Sequence, residues 1–544
     1  MIQIDCDYNF YGRTETLQTL KRRYLDLKDG YRQNVAIVGN RYAGKSSILY
    51  QFIKNLDEDN IAYIYLDIEN KDFNYFCHKF IRSLLYSFSK NKQLPPHDDI
   101  KLLMQSAQGY IPHTIDVIKR IFRDFHLGKQ NDAYLGLINL PEVFTNESQQ
   151  FCMLIIDEFQ YIEELMGAMA FQELGKKIMV QKRCLYILSS SYQNQANKIL
   201  SEKLSLLFGN FEIISLEPFN GRESQNFIQS NLKELKIGSQ LKSFLTDFTG
   251  GYPLYINLIC QELINLTAIH QQGEIYLPIL TQAVENTIFN RWGVISRHFE
   301  IMMNELCSGK ANCYMPAILM ELAKGTSKIQ DISRTLDIKK KYVNQRINHL
   351  LSAGIIIRNG HFLYFKDKLF KYWIKFIYQR RLTSEDFMPE KQRRQFKDEF
   401  NAAVEHFKNC SRKEFSSRIM EILDCFDNDS IDLEGRKYKM PHFRQFLPCA
   451  FNNELGKNIE GIKALTDEHE WLIVVKKENF MESDVNFILS ETKKGKKKPA
   501  RCLIVSLSQL DDQTRLKALQ ERFWIWNERE LTTLFNLFDK PSVI

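Results

Sequence analysis

Short apolar runs alternate with segments of helical periodicity along the first part of the chain. The runs are nearly continuous, and they lie at residues 35–38, 61–68, 151–156, 184–188 and 213–216. Continuous apolar strands separated by helices are typical of a parallel sheet that is covered on both faces. The pattern therefore predicts an α/β fold for residues 15–216, built around a parallel sheet.

The pattern changes further along the chain. Residues 71–150 predict a helical insertion, with interruptions at Pro95, Pro96 and Pro141. Residues 217–300 have an all-helical pattern, and residues 310–378 favour three helices followed by a hairpin. A charged helical segment follows, and the last part mixes helices with strands. The predicted regions are a core at 1–216, a helical region at 217–305, a smaller region at 306–380, a linker at 381–399 and an α/β region at 400–544.

Composition and charge exclude few classes of function. The 544 residues include 73 Lys and Arg and 66 Asp and Glu, and the net charge of +7 permits nucleic-acid binding without indicating it. The cysteines include no CxxC pair, which is typical of buried free thiols in a reducing compartment. No signal-peptide pattern occurs, and no apolar run approaches the roughly 18 residues of a membrane span. We expect a cytoplasmic protein with no membrane partner.

One loop carries the clearest chemical signal. It lies between an apolar run and a helical segment and matches the pattern GxxxxGK[ST]. Its residues are Gly39, Asn40, Arg41, Tyr42, Ala43, Gly44, Lys45 and Ser46, with Ser47 next. The glycines let backbone N–H groups surround phosphates, and the following helix points its positive end at them. We expect Lys45 to reach the β- and γ-phosphates of ATP and the Ser46 hydroxyl to bind Mg²⁺.

Two acidic residues follow the strand predicted at 151–156. The strand ends of a parallel sheet open onto the ligand crevice, so we expect Asp157 to hold Mg²⁺ and Glu158 to act as the general base for the attacking water. The alternative, two acids that only solvate a loop, is less favoured because the phosphate loop is present. The next strand ends in residues 189–191, three serines that suit either a phosphate contact or a polar turn.

Three further segments add to these two Walker motifs: Phe10-Tyr11-Gly12-Arg13, Gly250-Gly251-Tyr252-Pro253, and residues 366–373. Together the motifs resemble the prokaryotic "archaeal ATPase" family, which groups with the signal-transducing STAND ATPases and near the origin-recognition AAA+ ATPases. The resemblance covers residues 8–380. It implies a helical lid at 217–305, a winged helix at 306–380, and Gly12, Arg13 and Pro253 beside the nucleotide. No arginine finger is assigned, and Arg183 and Arg222 are candidates.

Residues 329–336 and 340–353 predict two short helices joined by a turn, and an Asn-Gly pair between apolar runs predicts a hairpin after them. This is a winged-helix pattern, and in DNA-binding examples the second helix enters the major groove. The side chains that suit phosphate and base contacts are Lys339, Lys340, Lys341, Asn344, Gln345 and Arg346. A winged helix that only packs against the ATPase is an equal alternative, so DNA is a candidate partner.

The last region has two strands within 458–476, a helix near 483–490 and strands at 501–506 and 523–526. This order resembles the restriction-endonuclease-like fold, whose active members hold Mg²⁺ with an acid on one strand and Glu-x-Lys on the next. Glu460 and Lys476 occupy the outer places, but Val474 stands where the middle acid belongs. One carboxylate is a poor cage for Mg²⁺, so we expect no nuclease activity.

A basic run, Lys493-Lys494-Gly495-Lys496-Lys497-Lys498, lies in the same region and is either a nucleic-acid contact or a solvated loop. Three functions fit all these features. They are an ATP-driven switch of the STAND type, a DNA-binding ATPase of the origin-recognition type, and a scaffold that holds nucleotide with negligible turnover. A homo-oligomer is compatible with each of them.

Overall fold

The computed structural model describes residues 10–56, 60–68, 72–95, 97–204, 209, 211–290, 292–308, 314–379, 389–452, 458–476, 480–494, 499–507 and 510–541. The chain divides into two compact units. The first comprises residues 1–219 with 252–254, and the second comprises residues 220–251 with 255–544.

The first unit is an α/β domain, and its five strands are those that the sequence predicts. The strands are β1 Asn34–Gly39, β2 Ile61–Asp67, β3 Phe151–Asp157, β4 Cys184–Ser190 and β5 Phe211–Leu216. They form one parallel sheet in the order β2-β3-β4-β1-β5. The helices are α1 Thr14–Lys28, α2 Lys45–Lys54, α3 Phe73–Asn91, α4 Ile100–Ala107, α5 Pro112–His126, α6 Gln130–Ser148, α7 Ile162–Met166, α8 Ala170–Val180 and α9 Gln193–Lys198.

Both faces of this sheet are covered, as the continuous apolar runs predict. One face packs against α1 and α2. The other packs against α3 and the rest of the helical insertion between β2 and β3. The predicted interruption at Pro141 is wrong, because this residue lies inside α6. A proline removes one helical hydrogen bond and crowds the preceding turn, but the buried neighbours Leu137, Leu140 and Phe144 hold the helix against the core.

The helices of the second unit are α10 Gly221–Leu232, α11 Ser239–Thr249, α12 Pro253–Ile269, which begins in the first unit, α13 Leu277–Val284, α14 Val294–Cys307, α15 Met315–Lys324, α16 Ile329–Thr335, α17 Lys340–Ser352, α18 Lys368–Trp373, α19 Pro389–Arg412, α20 Phe415–Leu423, α21 Glu482–Lys494, α22 Asp512–Gln520 and α23 Glu528–Leu537. The strands are β6 Lys236–Ile237, β7 Glu274–Ile275, β8 Ile356–Asn359, β9 Phe362–Phe365, β10 Asp429–Leu433, β11 Arg436–Met440, β12 Gln445–Asn452, β13 Asn458–Leu465, β14 Glu470–Lys476, β15 Arg501–Ser506 and β16 Trp524–Trp526.

Two predicted features of this unit need correction. The helical region also contains the short parallel pair β6 and β7, so it is not all-helical. The predicted boundary at residues 399 and 400 falls inside α19, which is not a simple linker. This helix buries Phe396, Phe400 and Phe407, and Phe400 packs edge-on against Phe244 and Phe248 of α11. Residues 381–388 of the predicted linker lie outside the described residues.

The second unit ends in a mixed five-stranded sheet of order β12-β13-β14-β15-β16. Strands β12, β13 and β14 are antiparallel, and β14, β15 and β16 are parallel. One face packs against α20 and α23, and the other packs against α21 and α22. The sequence predicted β13 to β16 but missed β12 and the hairpin of β10 and β11. In the described part of the chain, no helix is long and apolar enough to cross a membrane.

Candidate nucleotide-binding site

The loop between β1 and α2 has the geometry of a phosphate loop. Every residue of β1 is buried, and its last residue is a glycine at a point where the chain passes close to β5. A Cβ atom at Gly39 would lie 2.3 Å from the carbonyl oxygen of Leu216. Gly44 precedes α2 with a φ of +98°, which favours glycine. The loop therefore turns directly into the positive end of the helix.

Lys45 lies within this loop and is almost fully buried. Its ammonium donates to the carbonyl oxygens of Gly39 at 3.1 Å and Asn40 at 3.0 Å, and to the Ser191 hydroxyl at 2.8 Å. Burial lowers the pKa of Lys45, and the charges of Glu158 and Asp157 oppose that shift. The ammonium group therefore lies at the edge of the sheet where β1, β3 and β4 end.

Asp157 is the centre of a cluster of hydroxyl groups at the same edge of the sheet. The Ser46 hydroxyl donates to its Oδ2 at 2.7 Å, the Tyr65 hydroxyl donates to Oδ2 at 2.9 Å, and the Ser189 hydroxyl donates to Oδ1. Burial, followed by the charge of Asp157, raises the pKa of Tyr65 far above its usual value, so this residue remains a donor. Ser46 and Asp157, which the sequence predicts as metal ligands, do meet.

Tyr65 was not foreseen from the sequence. It lies two residues before the end of β2, next to β3 in the sheet, and only its place on a strand predicted to run beside β3 could have suggested the contact. Ser189 belongs to the serine run whose role the sequence left open, and its described partner is the Asp157 carboxylate.

Glu158 follows Asp157 in a left-handed backbone conformation, with a φ of 56°. Its carboxylate accepts from the Ser191 backbone N–H at 3.0 Å, from the Ser191 hydroxyl, and from the Gln160 side chain at 2.7 Å. A non-glycine residue in this conformation is uncommon and often marks a functional position. Ser191 and Gln160 therefore hold the Glu158 carboxylate at the same edge of the sheet as Lys45.

The turn at residues 250–253 contacts the phosphate loop through Tyr252, a residue to which the sequence analysis gave no role. The Asn40 side-chain amide donates to the Tyr252 hydroxyl at 2.6 Å. Pro253 begins α12 directly after it. Of the other predicted loop residues, Ala43 is buried, Arg41 and Tyr42 are half-buried, and Ser47 is exposed.

Gly12 and Arg13 lie against the segment that follows β5. The Arg13 guanidinium lies 4.6 Å from the centre of the Phe219 ring and donates to the Glu217 carbonyl oxygen. The finger candidate Arg183 immediately precedes β4 and donates to Gln149. It therefore lies at the opposite end of the strand from Ser191, which meets Lys45. Arg222 lies in the first turn of α10 in the second unit.

The nuclease-like residues do not come together, which corrects their predicted grouping. Glu460 pairs with Val475 across β13 and β14, so these two side chains share a face. Lys476 follows Val475 and lies on the other face, where it donates to Asp484 at 2.6 Å. Strand residues alternate between faces, so Glu460 and Lys476 cannot form one metal site. Residues 495–498 of the basic run lie outside the described residues.

No protein-family model and no curated protein matches this chain. Among solved structures, the Walker-type ATPase PABY2304 of Pyrococcus abyssi is 13% identical, over 67% of this chain and 96% of that one, with a TM-score of 0.47. The Aeropyrum pernix ORC2 protein is 13% identical over 70% and 98%, with a TM-score of 0.44. The Thermotoga maritima RuvB Holliday junction branch migration motor is 12% identical over 67% and 96%, with a TM-score of 0.35. These similarities concern the fold alone.

The chain's own geometry identifies its fold. A phosphate loop joins β1 to α2, and an acidic pair lies at the end of β3 in a parallel five-stranded sheet. The first unit is therefore a P-loop NTPase fold.

Proposed function

We propose that this chain binds ATP with Mg²⁺ at residues 39–46 and hydrolyses it with Glu158 as the general base. The observation that supports this most is the meeting of Lys45, Ser46 and Asp157 at one edge of the sheet, with the Ser46 hydroxyl 2.7 Å from the Asp157 carboxylate. These groups come from two elements that are distant in sequence. Their convergence is expected for a catalytic site and not for two unrelated polar loops.

The donor set fits Mg²⁺. This ion prefers oxygen ligands and usually takes only one or two from the protein, with phosphates and water supplying the rest. Ser46 and Asp157 offer one hydroxyl and one carboxylate, and Tyr65 and Ser189 orient that carboxylate. When bound, Mg²⁺ neutralises charge on the β- and γ-phosphates. The part of the chain that the structure describes has no group of three or more His, Cys, Asp or Glu that could hold a metal without phosphate.

The remaining groups account for the reaction. Lys45 and the N-terminus of α2 bind the phosphates, and Lys45 stabilises the charge that builds up as the γ-phosphoryl group transfers. Glu158 accepts a proton from the attacking water while the bond to the leaving ADP breaks. Ser191 and Gln160 orient Glu158 for this task.

Substitution of Lys45 tests the binding step. We expect Lys45→Ala to weaken ATP binding by about tenfold to a hundredfold, because a charge-assisted contact to phosphate is lost. Lys54→Ala is the matched control, since this exposed lysine ends the same helix. Equal ATP affinity in the Lys45 variant and the wild type, measured by calorimetry, would contradict the proposed site.

We further propose that nucleotide state is coupled to the second unit, as in a STAND or AAA+ switch. The supporting observation is the hydrogen bond between Asn40 and Tyr252, since Tyr252 belongs to the first unit and directly follows Gly251, where the chain leaves the second unit. Gly250 and Gly251 in the turn between α11 and α12 have left-handed backbone conformations and suit a hinge. In this proposal residues 217–305 form the lid, residues 306–380 form the winged helix, and residues 400–544 form an inactive nuclease-like domain.

DNA binding is a second candidate, supported by one face of α17. Val343, Ile347 and Leu350 are buried, whereas the side chains that suit nucleic acid are exposed on the other side at Lys340, Lys341, Asn344 and Gln345. The hairpin that follows is less accessible. The Asn359 side chain donates to the Asp432 carbonyl oxygen and accepts from the Asp432 N–H. DNA would therefore meet the helix and not the hairpin tip.

Changing Lys339, Lys340, Lys341 and Arg346 together to Ala tests this candidate. Each lost phosphate contact should lower the slope of log affinity against log salt by about 0.9. A control that removes the same charge changes four exposed cations of the helical insertion, Lys90, Lys92, Lys119 and Arg120. If the α17 variant keeps the wild-type affinity and slope, the winged helix is a packing module.

A further inference from the structure

The second unit contains a cavity of about 420 Å³, apart from the phosphate loop. Five segments line it: α11, residues 322–327 at the end of α15, the stretch from β9 to residue 376, α19, and residues 535–541 within and after α23. This volume lies within the range of roughly 300–1,000 Å³ that small-molecule sites occupy. Such a cavity at the junction of several segments is large enough for a small organic ligand.

Much of the wall is aromatic. The phenyl and phenol rings that line the cavity are Phe244, Tyr364, Phe365, Tyr372, Phe376, Phe407 and Phe535. Tyr372 and Phe376 are nearly parallel, with an interplanar angle of 2° and a centroid distance of 5.7 Å. Aromatic walls of this kind contact flat or apolar groups through their faces and edges.

Three lysines recur along one stretch of chain and line the same cavity, at positions 368, 371 and 375. Lys371 is the most buried of these three lysines, with only 11% of its side chain exposed, and it pairs with Asp539. Lys368 donates to Asp247 at 2.7 Å. Burial lowers the pKa of Lys371, and Asp539 opposes that shift. A buried cation in an aromatic cavity requires an anion beside it.

Asp539, the anion that pairs with Lys371, is much more exposed to solvent than the lysine. Asp539 lies on the segment after α23, and 47% of its side chain is exposed. A doubly charged group entering from the cavity would interact more strongly with Lys371 than one half-exposed carboxylate does. Asp539 therefore resembles an internal substitute for an anionic ligand.

We propose that this cavity binds a small organic phosphate, with its flat apolar group between the aromatic walls and its phosphate on Lys371 in place of Asp539. Lys375, which lines the same cavity, adds positive charge, whereas Lys368 is already paired with Asp247. Binding at this cavity is independent of the phosphate loop and of ATP hydrolysis. It gives the second unit a ligand site of its own.

The test uses phenyl phosphate as the probe and the full chain carrying Lys45→Ala, so that the phosphate loop does not compete. Calorimetry should detect saturable binding at millimolar probe. Adding Lys371→Met should weaken it by at least about tenfold, because the buried cation is lost. Adding Asp539→Asn should instead tighten it severalfold, because the internal competitor is removed. Lys437→Met, at an exposed position of β11 in the same unit, should leave binding unchanged.

A second variant distinguishes loss of the binding site from misfolding of the Lys371→Met protein. Ala403 lines the cavity, and Ala403→Trp should block binding while leaving all the lysines in place. Inorganic phosphate should bind more weakly than phenyl phosphate, because it does not contact the rings. The proposal is overturned by the absence of saturable binding, by equal binding in Lys371→Met, by weaker binding in Asp539→Asn, or by equal affinity for inorganic phosphate.

Discussion

The carboxyl ends of β3 and β14 both present charged side chains beyond a buried strand, and they differ in what surrounds those charges. Asp157 at the end of β3 accepts from Ser46, Tyr65 and Ser189, and Lys45 lies at the same edge of the sheet. Lys476 at the end of β14 is paired with Asp484, and Glu460, the acid that the sequence grouped with it, lies on the opposite face.

The difference shows that convergence on one face matters more than the presence of suitable residue types. At β3, hydroxyl groups orient a carboxylate without neutralising it, so it remains able to bind a cation. At β14, the lysine is already neutralised by a buried acid. The first arrangement suits a reaction site, and the second suits structural support.

The largest expected effect concerns Glu158. Glu158→Gln preserves the size of the side chain but replaces the carboxylate base with a neutral amide, so we expect kcat for ATP hydrolysis to fall on the order of 10² to 10⁴-fold. ATP binding should persist. Glu164→Gln is the matched control, because this residue is exposed in the nearby α7. Unchanged phosphate release from the Glu158 variant would remove this residue from the mechanism.

At the end of β14, removing the charge of Lys476 should lower the stability of the fold. Only 13% of the Lys476 side chain and 6% of the Asp484 side chain are exposed. Lys476→Met leaves Asp484 charged and buried, which should lower the free energy of unfolding of this region by about 3–5 kcal/mol. Lys463→Met, at a position that is 46% exposed, should change it by less than about 0.5 kcal/mol. Chemical denaturation measures both.

The same comparison predicts that the last region has no nuclease activity. Incubating the protein with plasmid, linear and single-stranded DNA, plus Mg²⁺ or Mn²⁺, should leave the DNA intact. Cleavage that disappears in Glu460→Ala or in Lys476→Met would show that β14 does carry a reaction site.

A smaller effect is expected at Tyr65. Tyr65→Phe removes one donor to Asp157 and should raise the Mg²⁺ concentration that half-maximal ATPase activity requires by about tenfold to a hundredfold. Tyr63→Phe provides the control two residues earlier on β2. An unchanged Mg²⁺ requirement in Tyr65→Phe would show that this hydroxyl does not orient Asp157 for the ion.

Much of the first unit could be predicted from sequence, because continuous apolar runs and a phosphate-loop motif are strong local signals. The contacts of Tyr65 with Asp157 and of Tyr252 with Asn40 could not, since they depend on strand register and on how a turn folds back. The grouping of Glu460 with Lys476 failed for the same physical reason. A difference of one residue in register moves a side chain to the other face of the sheet.

The smallest expected effect concerns Asp367, which accepts from a tyrosine hydroxyl as Asp157 does. Burial raises the pKa of Asp367 to about 6, although Tyr255 and the backbone N–H groups of Phe370 and Leu369 oppose that shift. The folded chain therefore binds more protons than the unfolded chain between about pH 4 and pH 6. This group's contribution to stability is full below that range and falls as the pH rises through about 6.

As the pH rises from roughly 5 to 7, ionisation of Asp367 should lower the free energy of unfolding by about 1 kcal/mol. Asp367→Asn should remove this pH dependence, because an amide does not titrate in this range. Its oxygen can still accept from the Tyr255 hydroxyl. Asp331→Asn, at a position that is 48% exposed, is the control. A pH profile that is identical in Asp367→Asn and the wild type would contradict the raised pKa.

Single-turnover hydrolysis by the wild-type chain tests the central claim most directly. With the protein in excess over ATP, the account predicts that bound ATP is converted to ADP and phosphate when Mg²⁺ is present, and that a chelator stops the conversion. ATP that remains bound and intact in the presence of Mg²⁺ would contradict it, because the groups gathered around Asp157 would then hold nucleotide without hydrolysing it.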